Sequence, residues 1–411
     1  MLSPEKNHLL TSIEPGSEMG AYLRRYWHPI SGAADLDTVA IKPIRLFGEN
    51  LVLYKDLEGN FGLVDRQCAH RSADLAYGYV EKCGIRCSYH GWLFDHAGRC
   101  LEQPFEQTVL PQSRYREKVK LKSYPVQKKA GLLFAYLGDG EPPLLPDWEP
   151  FSRTDGFVQV VTADVPCNWL QCQENSIDPV HFEWMHSNWS ARMRGTDELG
   201  PAHTKLGFEE FERGFIYKRV RADTDEDDPL WTVGRALLWP NGFFLGNHFE
   251  WRVPVDDENT LSVSWIYQAV PDERRPYVQD HIPSWKSPTT DPETGRWITT
   301  HVINQDIVGW VGQGRITDRA RENLGQSDKG IVLMRNRFFA ELTAVADGAE
   351  PKGLVRDPQE NVALPLPVAN RLSLGAGAVN GKFILHAGQP DAVREACEAA
   401  MGYPIDTSGI L

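Results

Sequence analysis

The sequence predicts an α+β protein with two domains: a small antiparallel β-domain, then a larger domain that combines an antiparallel sheet with helices. Three observations predict this. The chain has 411 residues, more than one simple core usually organises. Short apolar runs separated by Gly, Asp and Asn turns fill residues 44–137. Alternating apolar and polar residues return at 205–270, and helical patterns lie on either side of them.

The remaining elements follow along the chain. Residues 16–25 predict a short helix capped by Ser17, and the Gly/Pro-rich segment 138–146 marks a domain boundary. The second domain is expected to contain, in order, a helix at 166–187, the strands of 205–270, a long loop at 271–298 and helices at 301–345. The predicted division is an N-terminal segment 1–43 that packs with the second domain, a β-domain 44–140 and a second domain 141–411.

Composition narrows the class of protein. The formal net charge of -13 argues against non-specific binding to nucleic acid or to an anionic membrane. No apolar run is long enough to span a bilayer, and no basic, then apolar, signal opens the chain, so a cytoplasmic location is expected. Four of the seven cysteines crowd residues 68–100, which indicates metal or redox chemistry more than a disulfide scaffold.

The first chemical motif pairs CAHR at 68–71 with CSYHGW at 87–92. Each arm supplies one thiolate and one imidazole, whereas zinc fingers commonly separate cysteines from histidines. Two Cys and two His are the ligands of a Rieske [2Fe–2S] cluster. The candidate ligands are Cys68, His70, Cys87 and His90, with a zinc site or structural cysteines as the alternatives. Cys83 and Cys100 lack a ligand-spaced histidine, and His96 has no paired ligand, so these three are interpreted as structural or surface residues.

The second motif is NWLQCQENSIDPVHFEWMH, from residue 168. His181 and His186 with nearby acids indicate a site in which two histidines and one carboxylate bind Fe(II). Five residues turn a straight α-helix about 140° out of line, so both histidines reach one metal only if the helix is irregular. Asp178 precedes His181 by three residues and is interpreted as a hydrogen-bond partner of that imidazole, with direct ligation as the less favoured role.

The third ligand must come from elsewhere in the chain. Asp306, in HVINQDIVGWVGQGRITDR, begins a helical run after the long loop, where it can point into a pocket. Asp318 and Glu322 are rivals on the same stretch, but they lie in a polar pattern typical of an exposed surface. Two structural histidines on a core helix remain the alternative to a metal site.

Together these motifs resemble the α subunits of Rieske non-haem-iron aromatic-ring-hydroxylating oxygenases, in the phthalate dioxygenase-like branch. The resemblance also rests on EPGSEMGAYLRRYWHPI at 14–30 and on QDIVGWVGQGRITDRARENLGQSDKGI at 305–331. It implies a helix-grip catalytic domain after an inserted Rieske domain. It also implies that Cys68 and Cys87 bind one cluster iron and His70 and His90 the other, and that His181, His186 and Asp306 hold mononuclear Fe(II).

The resemblance implies partners as well. Asp178 would link the Rieske centre of one subunit to the catalytic iron of its neighbour, in a head-to-tail homotrimer that can stack into a hexamer. Electrons would come from a separate reductase of flavin or ferredoxin type, and the chain carries no G-x-G-x-x-G fingerprint for NADH or FAD after a strand.

The implied reaction is O2-dependent hydroxylation of an aromatic carboxylate, with cis-dihydroxylation ranked first. Mono-oxygenation leading to O- or N-demethylation or ether cleavage is the alternative, and an electron-transfer protein or a redox sensor without turnover ranks lower. A carboxylate needs a cation at the pocket wall. Six arginines of the second domain qualify, although each alone is expected at the surface: Arg192, Arg194, Arg219, Arg221, Arg235 and Arg252. Four aromatic residues are candidates for an apolar cavity or for the core: Trp239, Phe243, Phe244 and Trp310.

Overall fold

The computed structural model describes residues 1–369 and 385–407. Its strands, in chain order, are β1 (Trp27–Gly32), β2 (Ile41–Leu46), β3 (Glu49–Lys55), β4 (Phe61–Asp65), β5 (Tyr79–Glu81), β6 (Gly84–Arg86), β7 (Leu93–Phe94), β8 (Cys100–Glu102), β9 (Ser123–Tyr124), β10 (Val126–Lys129), β11 (Leu132–Tyr136), β12 (Gly156–Val165), β13 (His203–Phe211), β14 (Gly214–Arg221), β15 (Arg235–Leu238), β16 (Gly242–Phe244), β17 (His248–Asp256), β18 (Asn259–Ala269) and β19 (Ser284–Lys286).

The α-helices of the described residues are α1 (Pro4–Thr11), α2 (Glu18–Leu23), α3 (Asp35–Thr38), α4 (Pro104–Val109), α5 (Trp169–Asn175), α6 (Trp189–Met193), α7 (Pro229–Thr232), α8 (Val302–Val311), α9 (Lys329–Ala346) and α10 (Asp391–Met401). A π-helix, Phe182–Asn188, runs directly into α6. Within the part of the chain that the structure describes, no helix is long and apolar enough to cross a membrane.

The strands form three small sheets and one large sheet. The small sheets have the orders β1-β11-β10, β2-β3-β4-β9 and β5-β6-β7-β8, and all of their pairs are antiparallel. The large sheet has eight strands in the order β13-β14-β15-β16-β17-β18-β12-β19, and only β12 and β19 run parallel. The α+β class, with a small antiparallel domain before a larger antiparallel sheet with helices, is confirmed.

Several predicted elements are found with different limits. The helix expected at 16–25 is α2, and Ser17 caps it by accepting a hydrogen bond from the Gly20 amide at 3.1 Å. The helix expected at 166–187 is divided into α5 and the π-helix, and the helical region 301–345 is divided into α8 and α9. Strand β1 pairs with β11, so part of the N-terminal segment lies in a sheet with the end of the small domain.

The two faces of the large sheet differ in chemistry, as β17 illustrates. Phe249, Trp251 and Val253 share one face, because side chains alternate along a strand. That face packs against aromatic residues that precede the large sheet in the sequence. The ring centroids of Phe134 and Trp251, for example, are 6.0 Å apart. On the opposite face, His248, Glu250 and Arg252 are buried, and α5 packs across this strand. This polar face is the one on which the candidate site is built.

A buried ion-pair network fixes the position of α5. Glu174, at the end of this helix, accepts a hydrogen bond from Arg319 Nε at 2.9 Å and one from Arg335 Nε at 2.6 Å. Arg335 also binds Glu322, through two hydrogen bonds of 2.7 Å. Although burial opposes ionisation, the two guanidinium groups hold the pKa of Glu174 below its usual value.

We expect Glu174→Gln to lower the free energy of unfolding by about 3 kcal/mol, because it takes from the buried Arg319 the carboxylate that it binds and leaves Arg335 with Glu322 alone. Chemical denaturation followed by circular dichroism measures the change. The matched control is Glu209→Gln, which removes a mostly exposed partner of Lys218 and is expected to cost no more than about 1 kcal/mol. Equal effects of the two substitutions would contradict the structural importance of the network.

Candidate metal centres

Two tight loops project the four candidate cluster ligands. Cys68 and His70 lie after β4, where the Ser72 amide donates to the Cys68 carbonyl at 2.9 Å. Cys87 and His90 lie between β6 and β7, where the Gly91 amide donates to the Cys87 carbonyl at 3.0 Å. Gly91 has φ +75°, a conformation that glycine adopts at low cost. Each arm therefore turns within a few residues and presents one thiol and one imidazole.

The candidate cluster ligands differ in how deeply they are buried. Cys68 and Cys87 are each 2% exposed, whereas His90 is exposed, and the His70 and His90 ring centroids are 4.5 Å apart. The Trp92 ring stacks on His70 at 4.3 Å. Among the described residues, His70 Nδ1 has no hydrogen-bond partner although it is buried. Burial, reinforced by the neighbouring Cys87 thiol, raises the pKa of Cys68 to about 12, so a bound cation is needed to hold a thiolate there.

This donor set fits a [2Fe–2S] cluster, with the two cysteines on the inner side and the two histidines at the surface. The other nearby candidates do not join the group. Cys83 and His96 are exposed, and Cys100 is buried in the apolar core of the small domain.

The second centre depends on the π-helix. The amide of Trp189 donates to the carbonyl of Trp184, five residues earlier, as the i→i+5 pattern of this helix requires. This pattern brings residues five apart onto one side, so His181, at the start of the helix, and His186 face the same point. The sequence predicted that the helix must be irregular at this place, and the π-helix is that irregularity.

Helix α8 brings Asp306 to the two histidines. Asp306 Oδ1 lies 3.5 Å from His181 Nε2 and 3.3 Å from His186 Nε2. One ligand atom from each residue can be chosen so that all lie within 4.8 Å of one another. Gly309 of α8 lies beside the π-helix, where a Cβ would be 2.5 Å from Cε of the flexible Met185 side chain. Burial lowers the pKa of His181 to about 3, so the imidazole is neutral and suited to bind a metal.

Hydrogen bonds around the three residues fix their orientation. His186 Nδ1 lies 3.0 Å from Gln305 Oε1, and the Gln305 amide donates to Ser190 Oγ at 2.9 Å. Because Gln305 Oε1 can only accept, His186 carries its proton on Nδ1 and leaves Nε2 for a metal. Asn175 Nδ2 donates weakly to Asp306 Oδ1 at 3.4 Å. Gln305 was not predicted as a site residue, although the polar Asn-Gln-Asp run at 304–306 interrupts an otherwise apolar helix.

Asp178 lies beside this group rather than in it. Its Oδ2 is 3.8 Å from His181 Nδ1, and its Oδ1 accepts a hydrogen bond from the Val180 amide at 2.8 Å. Burial raises the pKa of Asp178 to about 6. The rivals for the third ligand are elsewhere: Asp318 is exposed and Glu322 binds Arg335. The structure therefore brings His181, His186 and Asp306 together, and it leaves both rivals out.

A cavity adjoins two of the three candidate iron ligands, His181 and Asp306. Besides His181 and Asp306 it is lined by Asn175, Phe182, Phe243, Leu245, His248, Glu250, Arg252, Val302, Ile303 and Leu385. His248 Nε2 lies 2.7 Å from Glu250 Oε1, and Arg252 donates to Glu250. Although burial opposes ionisation, Arg252 and His248 hold the pKa of Glu250 well below its usual range. The alternating sequence HFEWRV at 248–253 is consistent with this buried polar group, but an ordinary strand has the same pattern.

The expectation that each of the six arginines lies at the surface is wrong for three of them. Arg219, Arg235 and Arg252 are 7%, 3% and 2% exposed. Their strands β14, β15 and β17 turn these side chains to the polar face of the sheet, which the helices cover. Arg192 and Arg194 are exposed and Arg221 is half-buried. Of the four aromatic candidates, Phe243 lines the cavity, Trp310 lies under Arg252 at 4.5 Å, and Trp239 and Phe244 belong to the main core.

The chain matches two family profiles and several known proteins. The profile of the Rieske [2Fe-2S] domain matches residues 26–125, and the profile described as LigXa C-terminal domain like matches residues 250–364. The chain is 53% identical to the 5,5'-dehydrodivanillate O-demethylase oxygenase subunit of a Sphingobium species, over 100% of this chain and 99% of the relative. It is 32% identical to the phenoxybenzoate dioxygenase subunit alpha of Ectopseudomonas oleovorans, over 84% of this chain and 87% of the relative.

A solved structure with the same fold is the terminal oxygenase of carbazole 1,9a-dioxygenase from Novosphingobium sp. KA1. The TM-score is 0.57 at 21% identity, over 81% of this chain and 94% of the other. As an oxygenase subunit, the chain is one component of a system that needs a reductase or ferredoxin as electron donor. The chain belongs to the family of Rieske non-haem-iron aromatic oxygenases, oxidoreductases that carry a Rieske [2Fe–2S] cluster and a mononuclear catalytic iron.

Proposed function

We propose that Cys68, Cys87, His70 and His90 hold the Rieske cluster. His181, His186 and Asp306 are the proposed ligands of the catalytic iron, and Asp178 is the proposed bridge to the Rieske centre of a neighbouring subunit. The observation that carries this assignment is the convergence of Asp306 on the two histidines within ligand distance. Iron held there supplies the activation of O2, and the protein supplies two imidazoles, one carboxylate and the adjoining cavity.

The reaction that we propose is O-demethylation of a methoxylated aromatic carboxylate. An aryl methyl ether, O2, two electrons and two protons give the phenol, formaldehyde and water. The support is the relative named for O-demethylation of 5,5'-dehydrodivanillate, which matches this chain along nearly its whole length at 53% identity. The buried Arg235, which has no carboxylate partner among the described residues, agrees with an acidic substrate, because an anion stabilises a buried cation.

We expect the iron-loaded protein, with a surrogate reductase and NADH, to release one formaldehyde for each O2 consumed with 4-hydroxy-3-methoxybenzoate or 5,5'-dehydrodivanillate. Oxygen uptake, formaldehyde assay and product mass spectrometry measure this. With 18O2 the phenol oxygen stays unlabelled, because the substrate's own ether oxygen is retained. Assays without reductase serve as the control for reduction of O2 by NADH alone.

The second candidate is cis-dihydroxylation of the ring, which the relative named phenoxybenzoate dioxygenase favours. Attack at the carbon that bears the methoxy group gives an unstable diol that loses methanol. In that case methanol appears instead of formaldehyde, and the product is a catechol in which the oxygens on both attacked carbons carry 18O. This outcome would reject demethylation and establish the dioxygenase reaction.

A homotrimer is the assembly that we propose. Beside the exposed His90, the small domain carries a rim of exposed apolar side chains: Tyr77, Tyr79, Tyr89, Phe105, Leu110 and Tyr115. A patch of this kind is typical of a protein interface. Trp184, in the π-helix close to Asp178, is exposed as well. Two different patches that fit each other form a heterologous contact, and repeating it around an axis closes a ring.

Four further points stay predictions. The division into 1–43, 44–140 and 141–411 is proposed as a functional division into N-terminal segment, Rieske domain and catalytic domain. The electron donor is proposed to be a flavin- or ferredoxin-type reductase, and stacking of trimers into hexamers is the larger assembly expected. The cytoplasmic location expected from the sequence is proposed unchanged.

A further inference from the structure

Arg235 is a buried cation without a counter-ion in the described part of the chain. It is 3% exposed, its Nη1 donates to the Tyr217 hydroxyl at 3.3 Å, and its Nε is buried with no hydrogen-bond partner there. The two stretches outside the described residues, 370–384 and 408–411, contain no aspartate or glutamate in their sequences. A buried guanidinium that keeps open donors and no carboxylate is costly, and it points to an anion that comes from outside the chain.

The neighbouring arginines have partners, which sets Arg235 apart. Arg221 donates to Asp223 at 3.1 Å, and Arg252 donates to Glu250. Arg219 Nη1 donates to His203 Nε2 at 3.2 Å, and the other ring nitrogen of His203 lies 2.9 Å from Glu183 Oε2. Among the described residues, the arginine of this face that has neither a carboxylate nor a histidine partner is therefore Arg235, on β15.

The position of Arg235 connects it to the reaction site through one aromatic ring. Its guanidinium lies 5.0 Å from the centroid of the Phe182 ring, which lines the cavity. The same ring is 4.3 Å from the ring of the iron-ligand candidate His181. Phe182 therefore contacts both the guanidinium of Arg235 and the imidazole of His181.

We propose that Arg235 and the Tyr217 hydroxyl form the subsite for the carboxylate of the aromatic acid. The inference deepens the proposed function, on which the identity of that acid rests. Arg235 sets the specificity for an acid and positions its ring. A guanidinium gives a planar pair of N–H donors that matches a carboxylate, and Tyr217 adds one O–H donor. The Phe182 face stacks on the cation and keeps water away from the pair.

The test compares two probes of nearly the same shape, 3-methoxybenzoate and 3-methoxybenzamide. Isothermal titration of the iron-loaded protein under nitrogen measures the affinity for each, so no turnover is needed. We expect the wild-type protein to prefer the acid by about 30-fold or more, and Arg235→Gln to lose this preference while binding the amide as before. Arg235→Lys should keep part of the preference, because the charge remains but the planar pair of donors is lost.

The matched control is Arg221→Gln, which removes a half-buried arginine of β14 whose partner is Asp223 and should leave the preference unchanged. Iron content and Rieske absorbance establish that each variant is folded. If Arg235→Gln does not fold, Arg235→Lys tests the proposal instead. We expect this variant to bind the acid about tenfold more weakly than the wild-type protein and the amide with the same affinity.

Two results overturn the proposal: no preference for the acid in the wild-type protein, or a preference that Arg235 substitutions leave intact. The outcome is independent of the reaction. Binding of the acid through Arg235 without release of formaldehyde would keep the subsite and reject demethylation. Formaldehyde release that Arg235 substitutions leave unchanged would keep demethylation and reject the subsite.

Discussion

Asp306→Ala is expected to remove the mononuclear iron and to leave the Rieske cluster in place. Asp306 supplies the carboxylate of a three-residue site, and its Oδ1 lies within 3.5 Å of both histidine Nε2 atoms. Without it, two neutral imidazoles hold Fe(II) weakly. Iron analysis should fall from about three to about two atoms per chain, since the cluster holds two. The visible absorbance of the cluster should stay, and O2 uptake should fall to background.

The matched control for this substitution is Asp318→Ala, which changes an exposed aspartate on the stretch that follows α8. It should retain all the iron and the activity. Full iron retention in Asp306→Ala would move the third ligand to another residue and would reject the site as we assign it. Loss of iron in Asp318→Ala would show instead that this stretch is needed for folding of the site.

Asp178→Asn is expected to leave both iron centres filled and to lower turnover by about 100-fold or more, because a misplaced transfer path costs at least that much. Asn keeps the shape of the side chain and the bond from the Val180 amide, but it removes the charge beside His181. Steady-state O2 uptake measures the loss. The reductase should still reduce the Rieske cluster of the variant at the wild-type rate. Loss of the mononuclear iron would make Asp178 a ligand instead.

Mixed oligomers test whether the transfer crosses between subunits. Coexpression of Asp178→Asn with Cys68→Ser combines one chain that has a cluster but no bridge with another that has a bridge but no cluster. In a head-to-tail trimer, the cluster of the first chain can serve the iron of the second, so activity returns although each variant alone is inactive. No recovery in oligomers of verified native mass would place the transfer within one chain.

The local motifs were predictable because each lies within a short stretch of sequence. The Cys/His loops at 68–71 and 87–92 need only a tight turn between strands, and the predicted spacing matches two loops of the same construction. The His181 and His186 spacing even indicated an irregular helix. The fold class followed from the alternation of apolar and polar residues. Strands β12 to β18 lie in the large sheet as antiparallel neighbours, and the edge strand β19 is parallel to β12.

Contacts between distant parts of the chain were harder to predict from the sequence. The choice of Asp306 over Asp318 could rest only on position in a helical run and on resemblance, because what brings Asp306 to the histidines is the packing of α8 on the π-helix. The burial of Arg235 and Arg252 was not predicted for the same reason. Their strands alternate like half-exposed strands, and only the helices of 169–188 and 302–311 cover the polar face.

The two-faced sheet has a consequence for how such an enzyme can diversify. Residues that hold the fold together, such as Phe249, Trp251 and Val253, point away from the cavity, while their immediate neighbours His248, Glu250 and Arg252 point into it. Stability and selectivity are thereby encoded at alternate positions of the same strand. Directed evolution toward new aromatic compounds can therefore concentrate on every second residue of β17, where changes alter the pocket and leave the apolar layer behind it intact.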